Sequence, residues 1–320
     1  MTRRHFPVRL LIGAIATFAV ASCIPSPDVP DAVVQPVPAP VSASPPPSPA
    51  PPPPAPEPQP NSGLARGPTT FVFEGETTQG GWIRGQAPAG AVTVRLDEQA
   101  LVLDEEGRFF AAFDRDAGAR ATLRADLADG RTIESPIAIA PRDWNIEHVN
   151  VARRSGGPSE AFMKIRRPEL AQIVAARAIE SESDGWRQDF IWPVTGRISG
   201  RFGSQRIYRG EPGSYHSGLD IATGESGTPF VAPADGVVVL ATERPFSLEG
   251  NLLIIDHGQG LNSAFLHMSR IAVEEGQEVR RGQHIGNIGS SGRATGPHLH
   301  WSLKWRDFRL DPLLFLGPMP

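Results

Sequence analysis

Two histidines near the C-terminus, His298 and His300, are separated by one residue in the run Gly296-Pro297-His298-Leu299-His300. In a strand, side chains alternate between the two faces, so both imidazoles would project from one face about 6.6 Å apart along the chain. One metal ion could then bind both, directly or through a water. A half-buried strand edge can also carry two histidines without a function, so the pair gains meaning only with further ligands.

A second cluster, His216-Ser217-Gly218-Leu219-Asp220, holds a histidine and a carboxylate four residues apart. On a helix they would share a face, but the many glycines around them disfavour a helix. In a straight strand they would lie about 13 Å apart, too far for one ion with bonds near 2 Å. The chain must therefore bend here, and Ser217-Gly218 is the natural place.

His216, Asp220 and His300 together make a candidate set of three metal ligands. Three protein ligands with a fourth position left for water are typical of catalytic zinc, whereas structural sites are closed by four ligands and often use cysteine. The only cysteine, Cys23, lies far away near the N-terminus. Zinc is the preferred ion on ligand chemistry, with manganese and iron as alternatives.

The N-terminus has the features of an export signal. An apolar run of 11 residues, Leu10 to Val20, follows arginines and is too short to span a membrane of about 20 residues. It ends in Val20-Ala21-Ser22-Cys23, which resembles the lipobox of bacterial lipoproteins, in which the cysteine is lipidated. We expect residues 1–22 to be a signal peptide, exported by either the general secretory or the twin-arginine route.

Residues 23–68 are expected to tether the folded part to a lipid anchor at Cys23. Pro25 to Pro60 holds 17 of the 33 prolines, so this segment favours an extended polyproline conformation and cannot form a core. By resemblance to lipoproteins, Ile24 after the cysteine favours the outer over the inner membrane of a Gram-negative envelope. The net charge of −4 gives no indication of nucleic-acid binding.

The folded part is predicted to be mainly β. In residues 69–141, short apolar alternations at intervals of 8 to 12 residues predict a small β-sandwich, which looks like the Ig-like modules of bacterial surface enzymes. Residues 142–190 form a linker with a helix, predicted to begin at Pro168 and end near Gly185, with Leu170, Ile173, Val174 and Ala178 on its apolar face. Residues 191–320 are rich in glycine and in β-branched residues, a composition that predicts an all-β domain of antiparallel sheets.

Three motifs in this last domain resemble those of the lysostaphin/LytM-like zinc metallopeptidases, a family of murein endopeptidases. They are His216-Ser217-Gly218-Leu219-Asp220, Phe265-Leu266-His267-Met268-Ser269 and Gly296-Pro297-His298-Leu299-His300. The resemblance implies that His216, Asp220 and His300 bind one zinc ion. It also implies that His267 and His298 are unligated catalytic histidines, acting as general base and as stabiliser of the oxyanion. The family usually has tyrosine where Phe265 stands.

The resemblance implies hydrolysis of peptide cross-links in peptidoglycan, and the export signals favour the bond from D-alanine to diaminopimelate. Arg201, Arg206, Arg293 and Lys304 lie near the motifs, but none can be singled out for substrate binding. The alternative is a silent relative that binds the wall or activates an amidase. Such relatives have lost at least one of the five motif residues, whereas all five are present here, which favours the enzyme. A divisome or amidase partner is left open.

Overall fold

A computed structural model describes residues 67–153 and 157–320 of the chain. The predicted signal peptide, Cys23 and nearly all of the predicted tether lie outside these residues. The described part is mainly β with antiparallel sheets, which confirms the predicted fold class. Within it, no helix is both long and apolar enough to cross a membrane.

Seven strands build the N-terminal part. They are β1 (Val72–Gly75), β2 (Trp82–Gln86), β3 (Ala91–Leu96), β4 (Gln99–Ala100), β5 (Arg108–Ala112), β6 (Arg120–Leu127) and β7 (Thr132–Ala138). They form two antiparallel sheets, in the orders β1-β2-β5 and β4-β3-β6-β7. In β6 every second residue is buried, as expected for a strand with one face on a core. The similarity to Ig-like modules stays a prediction.

A strand and a helix follow before the C-terminal part. Strand β8 (Ile146–Val149) comes first, and helix α1 (Glu160–Arg177) comes second. The prediction that Pro168 begins the helix is wrong, because Ser159 caps a helix that starts earlier: its hydroxyl accepts a hydrogen bond from the amide of Phe162 at 3.2 Å. Pro168 lies inside the helix, which ends well before Gly185.

The buried face of α1 also differs from the prediction. Leu170 and Val174 are 40% and 68% exposed, whereas Arg166, Glu169 and Ala176 are buried. Of the predicted apolar stripe, Ile173 packs against the core. Helix α1 packs mainly on two C-terminal strands, and Arg166 also makes an ion pair with Glu249 in the segment before β15, which the hydrophobic pattern could not predict.

The C-terminal part contains thirteen short strands. They are β9 (Arg197–Gly200), β10 (Gln205–Tyr208), β11 (Glu211–Pro212), β12 (Leu219–Ala222), β13 (Pro229–Val231), β14 (Gly236–Ala241), β15 (Asn251–Asp256), β16 (Leu261–Met268), β17 (Arg270–Ile271), β18 (Glu278–Val279), β19 (His284–Asn287), β20 (Leu299–Trp305) and β21 (Phe308–Leu310). The main sheet has the order β18-β14-β15-β16-β20-β12-β9, with β21 beside β20. A small sheet joins β13, β19 and β17, and another joins β11, β10 and β8.

One hydrophobic cluster extends through both parts of the chain. The ring of Phe110 from β5 lies 6.2 Å from Trp305 and 6.4 Å from Phe315, and Trp82 stacks on Phe315 at 5.1 Å. Strand β8 adds a second connection, since it pairs in parallel with β10. The N-terminal sheets are thus packed directly on the part of the chain that carries the three motifs.

Candidate metal centre

The strand register brings Asp220 and His300 together. In the antiparallel pair of β12 and β20 these two residues are directly opposite, and on the other side Asp220 is opposite Gly200 of β9. His216 lies just before β12, in a segment without regular structure, so the chain bends between His216 and Asp220. A Cβ atom on Gly218 would come within 2.7 Å of His300 Nε2, so any other residue at this position would force neighbouring atoms to move.

Three donor atoms converge at this point. Asp220 Oδ1 lies 2.8 Å from His300 Nδ1 and 3.1 Å from His216 Nε2, and the two nitrogens are 3.2 Å apart. Donors bonded at 2.0–2.1 Å to a tetrahedral ion are about 3.3 Å from one another. The residues present therefore fit a zinc ion on the open side of the triangle, and the predicted ligand set is assembled in one place.

Neighbouring groups orient and charge this triangle. The carbonyl of Arg201 accepts a hydrogen bond from His216 Nδ1 at 3.1 Å, which leaves Nε2 free to bind a metal. Burial alone would raise the pKa of Asp220, but hydrogen bonds from the two histidines hold it well below its ordinary range. Burial lowers the pKa of His300, whereas for His216 burial is outweighed by Asp220 and the pKa is raised. The carboxylate is thus ionised over the whole neutral range, as a metal ligand must be.

The two further histidines lie beside the triangle. His298 Nε2 is 3.8 Å from Asp220 Oδ1, and its ring centre is 5.1 Å from that of His267. In both rings Nδ1 is hydrogen-bonded to a backbone carbonyl. For His267 this is the carbonyl of Ser291 at 2.9 Å, and for His298 it is the carbonyl of Gly296 at 2.8 Å. In the neutral form Nδ1 therefore carries the hydrogen and Nε2 keeps a lone pair.

His267 has an unusual backbone. Its φ of 63° lies in the left-handed region, which is rare for a residue with a side chain. Its amide donates to the carbonyl of Glu249 at 2.8 Å. Leu266, the preceding residue, is still opposite His300 in the strand pair. The turn in the backbone directly after this pair sets the direction of the His267 side chain.

Two adjoining clefts open on the triangle. The smaller, about 390 Å³, is lined by His267, His298 and the segment Leu248-Glu249. The larger, about 800 Å³, extends from His216 along β10 to Asn145 and Glu147. Of the four basic residues near the motifs, Arg201 and Arg206 line the larger cleft, Arg293 lines the smaller, and Lys304 lines neither. Arg206 is already paired with Glu147 at 2.6 Å.

Sequence reasoning missed Glu147 and Asn145, because they belong to a segment interpreted as a linker. Ile146-Glu147-His148-Val149 is too short for an alternation to be recognised, and it becomes a strand only by pairing with β10. The ring of Phe265, at the position where the resemblance leads us to expect tyrosine, is fully buried and lies 5.3 Å from the ring of Phe230.

The three remaining histidines of the described residues, His148, His257 and His284, lie outside the clefts. His148 and His284 are exposed. His257 is fully buried, with one ring nitrogen on the carbonyl of Asp235 and the other on the hydroxyl of Ser263, both at 2.7 Å. Burial lowers the pKa of His257 to about 4, so it is a neutral, packed side chain.

Residues 214–312, which contain the whole triangle and both further histidines, match the peptidase family M23. This region is an M23 peptidase domain. Its curated relatives include the peptidoglycan DD-endopeptidase ShyA of Vibrio cholerae, 43% identical over 111 residues that make up 33% of this chain and 24% of the relative. The lipoprotein NlpD/LppB homolog of Pseudomonas aeruginosa is 37% identical over 144 residues, 45% of this chain and 42% of the relative. The chain thus spans less than half the length of these relatives.

A solved structure extends the likeness beyond the M23 domain. A crystal structure from Pseudomonas aeruginosa that carries the peptidase M23 name superimposes with a TM-score of 0.56 at 27% identity, covering 75% of this chain and 95% of that one. This coverage is more than the M23 domain alone can supply. The structural similarity to that protein therefore extends beyond residues 214–312.

Proposed function

We propose that this protein is a zinc-dependent endopeptidase that hydrolyses peptide cross-links of peptidoglycan. The observation that carries the proposal is the site itself. His216, Asp220 and His300 present three donor atoms within 3.2 Å of one another, and two histidines with free Nε2 atoms stand beside them. The M23 peptidase relatives agree with this chemistry.

The substrate class is inferred from relatives. ShyA and ShyB of Vibrio cholerae are both named peptidoglycan DD-endopeptidases, and ShyB is 39% identical over 137 residues. We infer that the bond cut here is the one between D-alanine and diaminopimelate. The larger cleft beside the triangle is polar along its length, as a groove for a peptide stem with carboxylates and amides should be.

Hydrolysis of a peptide bond requires that its carbonyl become more electrophilic, that the attacking water lose a proton and that the leaving amine gain one. A zinc ion held by His216, Asp220 and His300 supplies Lewis acidity and lowers the pKa of water. Because Nδ1 of His267 and of His298 is engaged with a carbonyl, both rings enter the reaction as proton acceptors through Nε2. The ring that takes the proton becomes a cationic donor, which can hold the oxyanion and then protonate the amine.

Burial favours this role for His267. It lowers the pKa of the ring, with a smaller opposing effect from the Ser291 carbonyl. The imidazole is therefore neutral at pH 7 and ready to accept a proton. His298 lies nearer the triangle, at 3.8 Å from Asp220 Oδ1. We propose that the two histidines divide the proton transfers of the reaction between them.

A second candidate function is supported by other relatives. The murein hydrolase activator NlpD of Salmonella dublin is 37% identical over 131 residues. In that case the cleft would bind wall or a partner amidase without cutting. The presence of all five histidine and aspartate residues in one cluster favours the enzyme.

The location of the protein is also a proposal. We propose a lipoprotein anchored through Cys23 and facing the periplasm from the outer membrane. The M23 domain would reach the wall on the proline-rich tether, extended at about 3.1 Å per residue. The lipoprotein name of the Pseudomonas aeruginosa relative supports this placement.

The test compares purified full-length wild type with His216→Ala. We expect one zinc ion per wild-type chain by elemental analysis and less than one in the variant, together with release of soluble fragments from purified sacculi by wild type alone. Wild type that binds one zinc ion per chain but releases no fragments would favour the activator. Wild type that binds no zinc and releases no fragments would refute the enzyme.

A further inference from the structure

The inner face of α1 carries a buried ionic network. The guanidinium of Arg166 donates to both carboxylate oxygens of Glu249, at 2.6 and 2.7 Å, and to Glu169 at 3.0 Å. Glu169 in turn accepts hydrogen bonds from the amide and the hydroxyl of Ser247, at 2.7 and 2.6 Å. Arg166 and Glu169 are only 8% and 7% exposed. Two carboxylates and one arginine thus fasten the segment 247–249 to the helix.

The fastened segment is a wall of the candidate active site. Leu248 and Glu249 line the smaller cleft together with His267 and His298. The carbonyl of Glu249 accepts the His267 amide at 2.8 Å, and the carbonyl of Leu248 accepts the Arg293 amide at 2.9 Å. Glu249 therefore contacts the helix with its side chain and the catalytic strand with its backbone.

The helix itself does not reach the clefts. None of its residues lines either of them, and its strand contacts are with β14 and β15. In the described part of the chain, α1 therefore does not cover the site. The ionic network is the polar connection between α1 and the segment that lines the smaller cleft.

We infer that Arg166 is a positioning residue that fixes the backbone of His267 through Glu249. His267 needs such support because its φ of 63° is a conformation that residues with side chains rarely adopt. A bidentate arginine–carboxylate pair is well suited to the task, since it fixes direction as well as distance. The effect on turnover rests on the proposed function, whereas the effect on the backbone of His267 does not.

Loss of Arg166 would leave the carboxylates of Glu169 and Glu249 close together without a cation. Their repulsion and their need for water would drive the segment 247–249 outward. A shift of about 1 Å in a catalytic group can reduce turnover by roughly 100-fold. Zinc binding should be unaffected, because among the described residues no hydrogen bond or ion pair joins His216, Asp220 or His300 to the network.

The test compares Arg166→Met with Arg167→Met in the full-length protein. Arg167 is the next residue of the same helix, and its partner is the exposed Glu160. For Arg166→Met we expect hydrogen exchange at the His267 amide to accelerate roughly 10-fold or more relative to amides of β15. We also expect kcat to fall roughly 10- to 100-fold, with KM and zinc content unchanged. Arg167→Met should behave as wild type.

A second variant guards against a folding defect. Arg166→Met combined with Glu249→Gln abolishes the repulsion between the two carboxylates but does not restore the bidentate pair, so it should still show faster exchange at the His267 amide and a lower kcat than wild type. The inference is overturned if exchange at His267 and kcat stay at the level of Arg167→Met, or if exchange accelerates uniformly with kcat unchanged. If wild type cuts no peptidoglycan, the proposed function fails, while exchange at His267 still decides the role of Arg166.

Discussion

Gly200 is a position where a single methyl group should disable the metal centre. It lies opposite Asp220 in the strand pair, and a Cβ atom added there would lie 2.9 Å from Asp220 Cγ and closer still to Oδ2. Non-bonded carbon atoms prefer separations of about 3.5–4.0 Å, so in Gly200→Ala the carboxylate must retreat by roughly 0.6–1 Å. Metal–ligand distances tolerate only about 0.2 Å. The displacement is therefore several times larger than the site allows.

We expect Gly200→Ala to fold but to bind zinc roughly 10- to 100-fold more weakly, as is typical when the support of a metal ligand is lost. The assay is zinc competition against a chelator of known affinity, with a thermal melt to check the fold. Gly118→Ala is the matched control, because a Cβ atom there meets nothing within 4 Å. If Gly200→Ala binds zinc as tightly as the control, a methyl group at position 200 does not displace the Asp220 carboxylate from its metal-binding position, and the reasoning is refuted.

Three further predictions concern the catalytic pair, the buried histidine and the shared core. His267→Gln should keep zinc and KM but lose roughly 100-fold or more in kcat, measured on cross-linked muropeptides, since proton transfer contributes on that scale; unchanged kcat would remove His267 from the mechanism. Burial lowers the pKa of His257 from 6.5 to about 4. As pH falls, the unfolded state therefore takes up a proton at this histidine before the folded state does, and about 3 kcal/mol of folding stability should be lost between pH 6.5 and pH 4. His257→Gln should flatten this part of the stability profile in denaturant titrations, and an equally steep profile would contradict the assignment. Phe110→Ala should cost about 3–5 kcal/mol, because the ring is buried between the two parts of the chain, and calorimetry should still show one transition. Two separate transitions in wild type would show that the parts do not unfold together.

The local patterns of the sequence were sufficient for most strands. Residues such as Leu123 and Ala125 alternate with polar neighbours, and β6 has the predicted burial. The two-residue spacing of His298 and His300 likewise placed both imidazoles on the cleft side of the sheet. These predictions succeeded because they depend on the period of the strand and on little else.

The predictions that failed depend on distant partners. Pro168 is a common first helical residue, but Ser159 provides the cap and the helix continues through the exposed proline. The buried face of α1 contains Arg166 because Glu249, far along the chain, neutralises it.

The sequence does contain one indication that the two parts of the chain share a core. Strand β5 contains Phe109-Phe110-Ala111-Ala112 without alternation, which is typical of a strand buried on both faces.

The central claim is that the cluster of His216, Asp220, His300, His267 and His298 cuts peptidoglycan cross-links. It is tested most directly by incubating a purified D-alanyl–diaminopimelate muropeptide dimer with zinc-loaded wild type and with zinc-loaded His298→Gln, and by identifying the products by mass spectrometry. The account predicts that wild type converts the dimer to two monomers, each with the mass expected for hydrolysis at the cross-link, and that the variant leaves the dimer largely intact. A dimer that survives zinc-loaded wild type, or equal conversion by the variant, would contradict it.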